Sequence, residues 1–496
     1  MTAGPAARAG ASDAPSEFVQ AMSLTDATML VAGSMIGSGI FIVSADISRS
    51  LGSPLLLLAV WTLTGITTLL GALAYGELAA MYPHAGGQYV FLREAMGPLM
   101  GFLYGWTLFA IIQTGTIAAV AVAFARFLGV LWPASAPELF TWFPRFDLNT
   151  PGGVISAGLS PQRLVACAMV WVLTWINLRG VRQGKIVQTT FTIAKTAALA
   201  LLIVLGLTIG RNAIAVQANF GAGNFAGHID WSGAFVVAFG AAMVGSLFSN
   251  DAWNNVTFAA AEVRDAPRNL PRALLMGTLL VTVLFALANV AYLNVLPLRG
   301  SPVGADVMAR GIQFATQDRV GTAAAEVIFG SAGATLMAVA ILVSTFGCNN
   351  GLILAGARVY YAMARDGLFF RKAGELSRRK VPAIALVAQA VWTSVLCLTG
   401  SYSQLLDYVI FAALLFYALT TAGIFVLRVR QPLLPRPYRA VGYPVLPALY
   451  VAFASTVCVI LLIAEKTRTQ ALLGLMLVLI GIPVFYLWRG AAAQPA

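Results

Sequence analysis

The sequence predicts an all-α integral membrane protein of twelve transmembrane helices, and three features carry that prediction: composition, the spacing of apolar stretches and the placement of cationic residues. Of 496 residues, 59% are hydrophobic and 10% charged, with a mean hydropathy of +0.82. A soluble chain carries roughly a quarter charged residues to hydrate its surface. Crossing a bilayer takes about 20 residues of helix. Twelve stretches qualify, at about 24–46, 54–82, 98–130, 161–179, 186–210, 232–262, 272–297, 325–363, 381–400, 404–427, 444–464 and 470–489. An even number returns both termini to one side. The tails and even-numbered loops hold twenty Lys or Arg and the opposite loops nine, so both termini are expected in the cytoplasm.

Taken in order, residues 1–22 are rich in Ala, Gly, Ser and Pro and read as a disordered cytoplasmic tail, too polar for a signal peptide. The transporter-like apolar region runs over 23–490. Span one contains Gly33-Ser-Met-Ile-Gly37-Ser-Gly39. Glycine lowers the cost of leaving helical geometry, and a broken helix exposes N–H groups that attract an anion; Gly33 and Gly37 also suit close helix packing. Both readings stand from this segment alone. Glu77 and Glu262, at the cytoplasmic ends of spans two and six, are expected to pair with the adjacent Arg cluster. The 131–160 loop, with Trp132, Trp142 and Phe143, is expected over the outer face near the membrane interface.

Two basic residues, Arg126 and Lys195, lie inside spans. Lys195 sits about 14 Å from the start of span five at ~1.5 Å per residue, too deep to reach the interface easily. It must be paired, hydrated or neutral, and an ionisable residue at that depth marks a functional site. Either it titrates and couples uptake to protons, or it keeps its charge and takes the place of a cation.

Span six holds Ser246-Leu-Phe248-Ser-Asn250-Asp251-Ala-Trp253-Asn254-Asn255, an acid and three amides amid apolar residues. Interruptions in spans one and six correspond if spans one to five and six to ten are inverted halves, and such pairs point to a midplane binding site. The Pro267 to Arg272 run reads as a tight cytoplasmic turn leading into span seven, and Asn349 and Asn350 in span eight face either span one or the pocket.

These residues resemble a family. Gly33-Ser-Met-Ile-Gly-Ser-Gly-Ile-Phe41, Tyr82-Pro-His-Ala-Gly-Gly-Gln-Tyr89, Ala252-Trp-Asn-Asn255 with Glu262-Val-Arg-Asp-Ala-Pro-Arg-Asn-Leu-Pro-Arg272, and Ala357-Arg-Val-Tyr-Tyr-Ala-Met-Ala-Arg-Asp-Gly367 closely resemble the amino acid–polyamine–organocation superfamily, within it the bacterial relatives of L-type amino acid transporters. The resemblance implies a leucine-transporter-type five-plus-five inverted repeat, with repeat one about 24–210, repeat two about 232–427, broken helices 1 and 6, and two extra helices over 444–489. It implies that backbone at Ser38, Gly39 and Ile40 holds a substrate carboxylate. Carbonyls near Met35, Ile36 and Phe248 take the ammonium, Phe248 closes over substrate, and Asn250, Asp251 and Asn254 line the site. It further implies that Lys195 occupies the place of a sodium ion, contacting Gly33 and Ser344. Where relatives have Phe-Ala-Tyr-Asp/Gly-Gly-Trp, this chain has Phe248-Ser-Asn-Asp-Ala-Trp253, which leaves the size and polarity of the side-chain pocket open.

Other classes fit poorly. The two histidines, His84 and His228, fall in loops on opposite sides, leaving an intramembrane protease or di-histidine centre without its base or ligands. No G-x-x-x-x-G-K-S/T loop supports ATP drive, and no repeated filter motif supports a channel. A net charge of +12 lies in the loops between spans, so nucleic acid is not indicated. Cys167, Cys348, Cys397 and Cys458 form no C-x-x-C pair and read as small core residues; neither metal nor cofactor is expected. The expected function is a sodium-independent secondary amino acid transporter of the cell (inner) membrane, an exchanger or proton symporter, for neutral amino acids by family weight. Cationic amino acids or polyamines are the alternative, because of Asp251. A membrane amino acid sensor would need a soluble effector region that neither tail offers. Animal relatives are disulfide-linked to an accessory glycoprotein, but no cysteine falls in an expected outer loop, so no accessory subunit is expected.

Overall fold

The computed structural model describes residues 18–135, 146–150, 153–227, 231–399 and 402–492. Residues 1–17 of the expected tail, and Trp142, Phe143 and His228, lie outside the described residues. The helices that position the site are α1 (Leu24–Met35), α2 (Ser44–Leu51), α3 (Pro54–Met81), α4 (Gln88–Met96), α5 (Pro98–Leu131), α6 (Pro161–Leu178), α7 (Val181–Leu207), α8 (Ala213–Phe220), α9 (Gly233–Ser249), α10 (Asn255–Phe258) and α11 (Ala266–Val295). They continue as α12 (Val320–Phe329), α13 (Ala332–Arg365), α14 (Ala383–Thr399), α15 (Tyr402–Arg430), α16 (Val445–Ile463) and α17 (Glu465–Ala492). Among the described residues, eight helices are long and apolar enough to cross a membrane, and Gly233–Ser249, Val320–Phe329 and Ala383–Thr399 are shorter apolar helices. The protein is a multi-pass membrane protein.

Helix starts follow the sequence's capping signals. Ser23 and Asp26 form a reciprocal capping box before α1, and Ser53 and Ser160 cap α3 and α6 just ahead of Pro54 and Pro161. Along α7 the buried residues Gln188, Thr192, Lys195, Leu199 and Leu202 recur at helical spacing, while Ile186, Ile193, Leu201 and Val204 are exposed. Lys195 therefore faces the bundle and the exposed stripe faces lipid. On its inward side α7 packs against α1, α11 and α13.

Several elements differ from the sequence reading. The stretch taken as one span over 325–363 is two helices, divided at Gly330 with φ +64°. The loop after α3 contains α4, and α8 follows α7. The 131–160 loop carries a short antiparallel hairpin, Phe146–Thr150 paired with Gly153–Ala157, so the fold is helical with one small exception. Met22, read as the end of the disordered tail, forms a parallel bridge with Val263, its N–H donating to Glu262 O at 2.9 Å. Phe18 packs edge-on against Tyr361 and Trp488 against Phe370, with ring centroids 5.0 and 5.2 Å apart. Both ends of the described chain thus reach the same end of the bundle.

Candidate functional site

The chain leaves helical geometry after Met35. Gly37 N–H bonds Met35 O at 2.9 Å instead of continuing the helical ladder, and a 3-10 turn over Gly39–Phe41 leads into α2. This break frees carbonyls that a continuous helix would have used, and buried carbonyls need partners. All find one. Gly33 O and Ile36 O accept from Lys195 Nζ at 2.5 and 2.6 Å, Ser34 O accepts from the Cys348 thiol at 3.1 Å, and Gly37 O accepts from Ser344 Oγ at 2.9 Å. Ser344 Oγ also reaches Ile36 O at 3.2 Å, and Ser344 O accepts from Lys195 at 3.3 Å. The N–H groups of Gly39 and Ile40, which head the 3-10 turn, have no acceptor among the described residues.

Close packing and unwinding turn out to be complementary. A Cβ on Gly33 would lie 2.1 Å from Gln188 Nε2 and 2.2 Å from Thr192 Oγ1, so only glycine lets α1 approach α7 closely enough for Lys195 to reach its carbonyls. A Cβ on Gly39 would lie 2.0 Å from Ser249 Oγ, which brings the first break against the end of α9.

There the second break begins. Residues 250–254 turn between α9 and α10, with Ala252 at φ +64°. That left-handed conformation costs a residue with a Cβ roughly 1–2 kcal/mol, which gives a physical reason for glycine at this place in the family pattern. The polar side chains turn inward: Asn250, Asp251, Asn254 and Asn255 are each at most 6% exposed. The Tyr417 hydroxyl donates to Asp251 Oδ1 at 2.6 Å and lies 3.1 Å from Asn254 Oδ1. Asn254 Nδ2 donates to Gln88 Oε1 at 2.6 Å, and Gln88 Nε2 to Thr420 Oγ1 at 3.0 Å. Gly87, at φ +43°, permits this: a Cβ there would meet Thr257 backbone at 2.6 Å, so the Gly86-Gly87 pair lets the loop press on α10 and deliver Gln88. Asn250 Oδ1 and Asn255 Nδ2 are buried without a partner, and no ion pair among the described residues includes Asp251. Two small cavities of about 20 and 10 Å³, on the scale of a single water, share Asp251, Ala413 and Tyr417 in their walls.

Ion pairs seal the end of the bundle that carries the termini. Glu77 accepts from Arg428 at 3.0 and 2.7 Å and from Ala440 N–H at 2.7 Å, with Arg436 at 3.4 Å. Glu262 accepts twice from Arg358, at 3.0 and 2.8 Å, in a pair almost wholly buried. Both acids thus pair with arginine as expected, with partners that come from distant parts of the chain. Arg93 pairs with Asp366, which also accepts from the Tyr89 hydroxyl at 2.6 Å. Burial pulls the Arg93 guanidinium down, but Asp366 and Glu94 outweigh it and hold it above its ordinary value.

The structure thus brings Gly33, Ile36, Lys195 and Ser344 together, and sets Gly39 against the end of the second break. Phe248 is buried in the last turn of α9, its carbonyl accepting from Asp251 N–H at 3.1 Å. The carbonyls expected to receive an ammonium are therefore engaged within the protein: Ile36 O twice, Met35 O by Gly37, and Phe248 O by Asp251. Asn349 and Asn350 face neither span one nor the pocket. Asn349 Nδ2 donates to Ile117 O at 3.1 Å; Asn350 Nδ2 donates to Gly184 O at 2.9 Å, and Asn350 Oδ1 accepts from Asn177 Nδ2 at 3.0 Å. Sequence reasoning missed Cys348, Gln88, Tyr417 and Thr420. Gln88 alone had a signal, its place after the Gly-Gly pair.

Comparison with known proteins shows what the chain as a whole is similar to. Residues 22–484 match the family described as amino acid permease. The chain is 30% identical over 482 residues to the human (Homo sapiens) large neutral amino acids transporter small subunit 2, covering 94% of this chain and 80% of that one. It is 30% identical over 470 residues to the serine/threonine exchanger SteT of Bacillus subtilis (strain 168), covering 94% and 96%. With the Asc-type amino acid transporter 1 of Mus musculus it shares 31% over 486 residues, covering 94% and 81%.

Proposed function

This chain belongs to the amino acid permease family of the amino acid–polyamine–organocation superfamily, and we propose that within it the protein is a sodium-independent amino acid exchanger or proton symporter. It is a transporter rather than an enzyme. The observation that carries the finer reading is Lys195, whose ammonium bridges Gly33 O, Ile36 O and Ser344 O between the first break and α13. An ammonium held by three main-chain oxygens supplies the charge a bound metal cation would supply, so the two broken segments need no sodium to stay together.

In this reading spans one to five and six to ten are inverted halves of a twelve-span fold, both termini lie in the cytoplasm, and the membrane is the cell membrane. The substrate's carboxylate meets the backbone at Ser38 and the unclaimed N–H groups of Gly39 and Ile40, since open donors at a helix start attract an anion. Its ammonium meets Asn250 Oδ1 and Asp251, beside the carbonyls of Met35, Ile36 and Phe248. Asn254 lines the side-chain pocket, and Phe248 closes over it. The buried pairs Glu77–Arg428 and Glu262–Arg358 close the cytoplasmic side, and opening it requires their separation. Neutral amino acids are the proposed substrates, in keeping with the two relatives named for large neutral amino acids and for serine and threonine. One observation favours a second reading: Asp251 has no cationic partner among the described residues, so a cationic side chain would compensate it. No disulfide-linked subunit is proposed, because Cys348, Cys397 and Cys458 are buried and Cys167 is half-buried; the human relative's name does designate a small subunit.

Counterflow in liposomes tests the proposal. Vesicles preloaded with a panel of unlabelled amino acids should take up labelled neutral amino acids without sodium, with cationic ones accumulating instead if the second reading holds. A strict sodium requirement would overturn the role given to Lys195.

A further inference from the structure

One cluster of charge at the opposite end of the bundle from the buried ion pairs has no use in the account so far. Arg126, near the end of α5, and Arg319, directly before α12, lie against each other, with Arg319 Nη2 3.5 Å from Arg126 O. Arg126 Nη2 donates to Gln317 O at 3.3 Å, and the Arg319 guanidinium lies 5.0 Å from the Phe127 ring centroid. Arg319 Nε is buried without an acceptor. Neither guanidinium has a carboxylate partner among the described residues. The neighbouring acid, Asp318, is taken by Arg49 at 2.6 Å, and Asp46 by Lys466 at 3.0 Å. Burial first, and the Arg126 charge second, push Arg319 below its ordinary value.

Two adjacent cations without an acid repel each other, and a buried donor without an acceptor costs roughly 1–3 kcal/mol. Both costs vanish when an anion binds, and the planar guanidinium fork fits a carboxylate on two oxygens. The location says which anion. Gly321, two residues beyond Arg319, packs on Phe41 so tightly that a Cβ would lie 2.9 Å from Phe41 Cδ1. Phe41 closes the same 3-10 turn whose Gly39 and Ile40 N–H groups are unclaimed. The arginines therefore stand one short helical step from the place proposed for the substrate's carboxylate.

We propose that Arg126 and Arg319 form an outer anion site that receives the carboxylate of an arriving amino acid before it passes to Gly39 and Ile40. This rests on the transporter reading above and adds a step to it. A cationic mouth raises the local concentration of an anionic group and speeds its capture, so the effect belongs to outside affinity more than to turnover.

The test is uptake into intact cells by the wild type, Arg126→Gln, Arg319→Gln, the double variant and the matching lysine variants. The account expects KM for external substrate to rise by about tenfold in the double glutamine variant, with maximal rate falling far less. The lysine variants should recover most of the loss, and KM of the wild type and the lysine variants, but not of the double glutamine variant, should rise with ionic strength. Unchanged KM in the double variant, or equal loss of rate in the glutamine and lysine variants, would overturn the site. The same variants in vesicles of zwitterionic lipid alone separate the sources of anion: a KM difference that vanishes there assigns the arginines to a net-anionic lipid headgroup and also overturns the proposal. If the wild type moves no amino acid, the transporter reading itself fails; if it does and the variants match it, only the outer site fails.

Discussion

The two interruptions at the centre of this molecule are built in opposite ways. In the first, every freed carbonyl from Gly33 to Gly37 has a donor, which comes from a distant helix for all but Met35 O, and the main-chain groups left open are N–H groups. In the second, acceptors are left over beside one open donor, Asn255 Nδ2: among the described residues Asn250 Oδ1 has no partner and Asp251 has no cation, while Ala252 holds a conformation it does not favour. One break offers donors and the other acceptors, and the two touch through Gly39 and Ser249. A molecule with a carboxylate at one end and an ammonium beside it is complementary to that pair. A buried lysine thus serves two ends, satisfying one break's oxygens and leaving its nitrogens for a ligand.

Substitutions can break this contrast, the largest effect coming from the contact between the breaks. Gly39→Val places atoms where Ser249 Oγ lies, 2.0 Å from the added Cβ, and should cut counterflow on the order of a hundredfold, as misplacement of about 1 Å does at reacting sites. Ser249→Gly should restore part of the loss in Gly39→Ala, measured in the same vesicles. Asp251→Asn keeps the shape of the second break and removes its charge. Because the substrate's ammonium is placed on Asp251, KM of neutral amino acids should rise about tenfold, near 1.4 kcal/mol, and that of cationic ones further if their side chains bind there; an unchanged KM would confine Asp251 to holding Tyr417. Ser344→Ala leaves Gly37 O without its donor and should lower stability by roughly 1–3 kcal/mol, read as a lower Tm in detergent with exchange still detectable. Ala252→Gly relieves the backbone at φ +64° and should raise Tm slightly, since the gain of ~1–2 kcal/mol is partly offset by glycine's added freedom when unfolded.

The parts legible in the sequence are those set by local pattern. Apolar length located the long apolar helices, the Gly and Ser cluster marked the first break, and an acid and three asparagines between Asn250 and Asn255 marked the second. The inward direction of Lys195 follows from its spacing with Gln188, Thr192 and Leu199. What stayed hidden depends on residues far apart in the chain. Nothing in the neighbourhood of Tyr417 shows that its hydroxyl meets Asp251, 166 positions earlier. Cys348 read as a space-filling residue because its role, donating to Ser34 O, depends on how α13 crosses α1. Glu262 stands beside a basic run in sequence, yet pairs with Arg358 because α10 and its short continuation pack on α13. The division at Gly330 was masked by apolar residues on both sides, where hydropathy alone cannot see a bend.

The central claim, that a lysine ammonium holds the first break in place of a metal cation, is tested most directly by Lys195→Ala in sodium-free counterflow at several pH values. Removing the ammonium leaves Gly33 O without a partner and Ile36 O with Ser344 alone. Exchange should fall to background, or lose its pH dependence, in protein that still inserts and elutes as a single species. Wild-type rates with an unchanged pH profile in that variant would contradict the account.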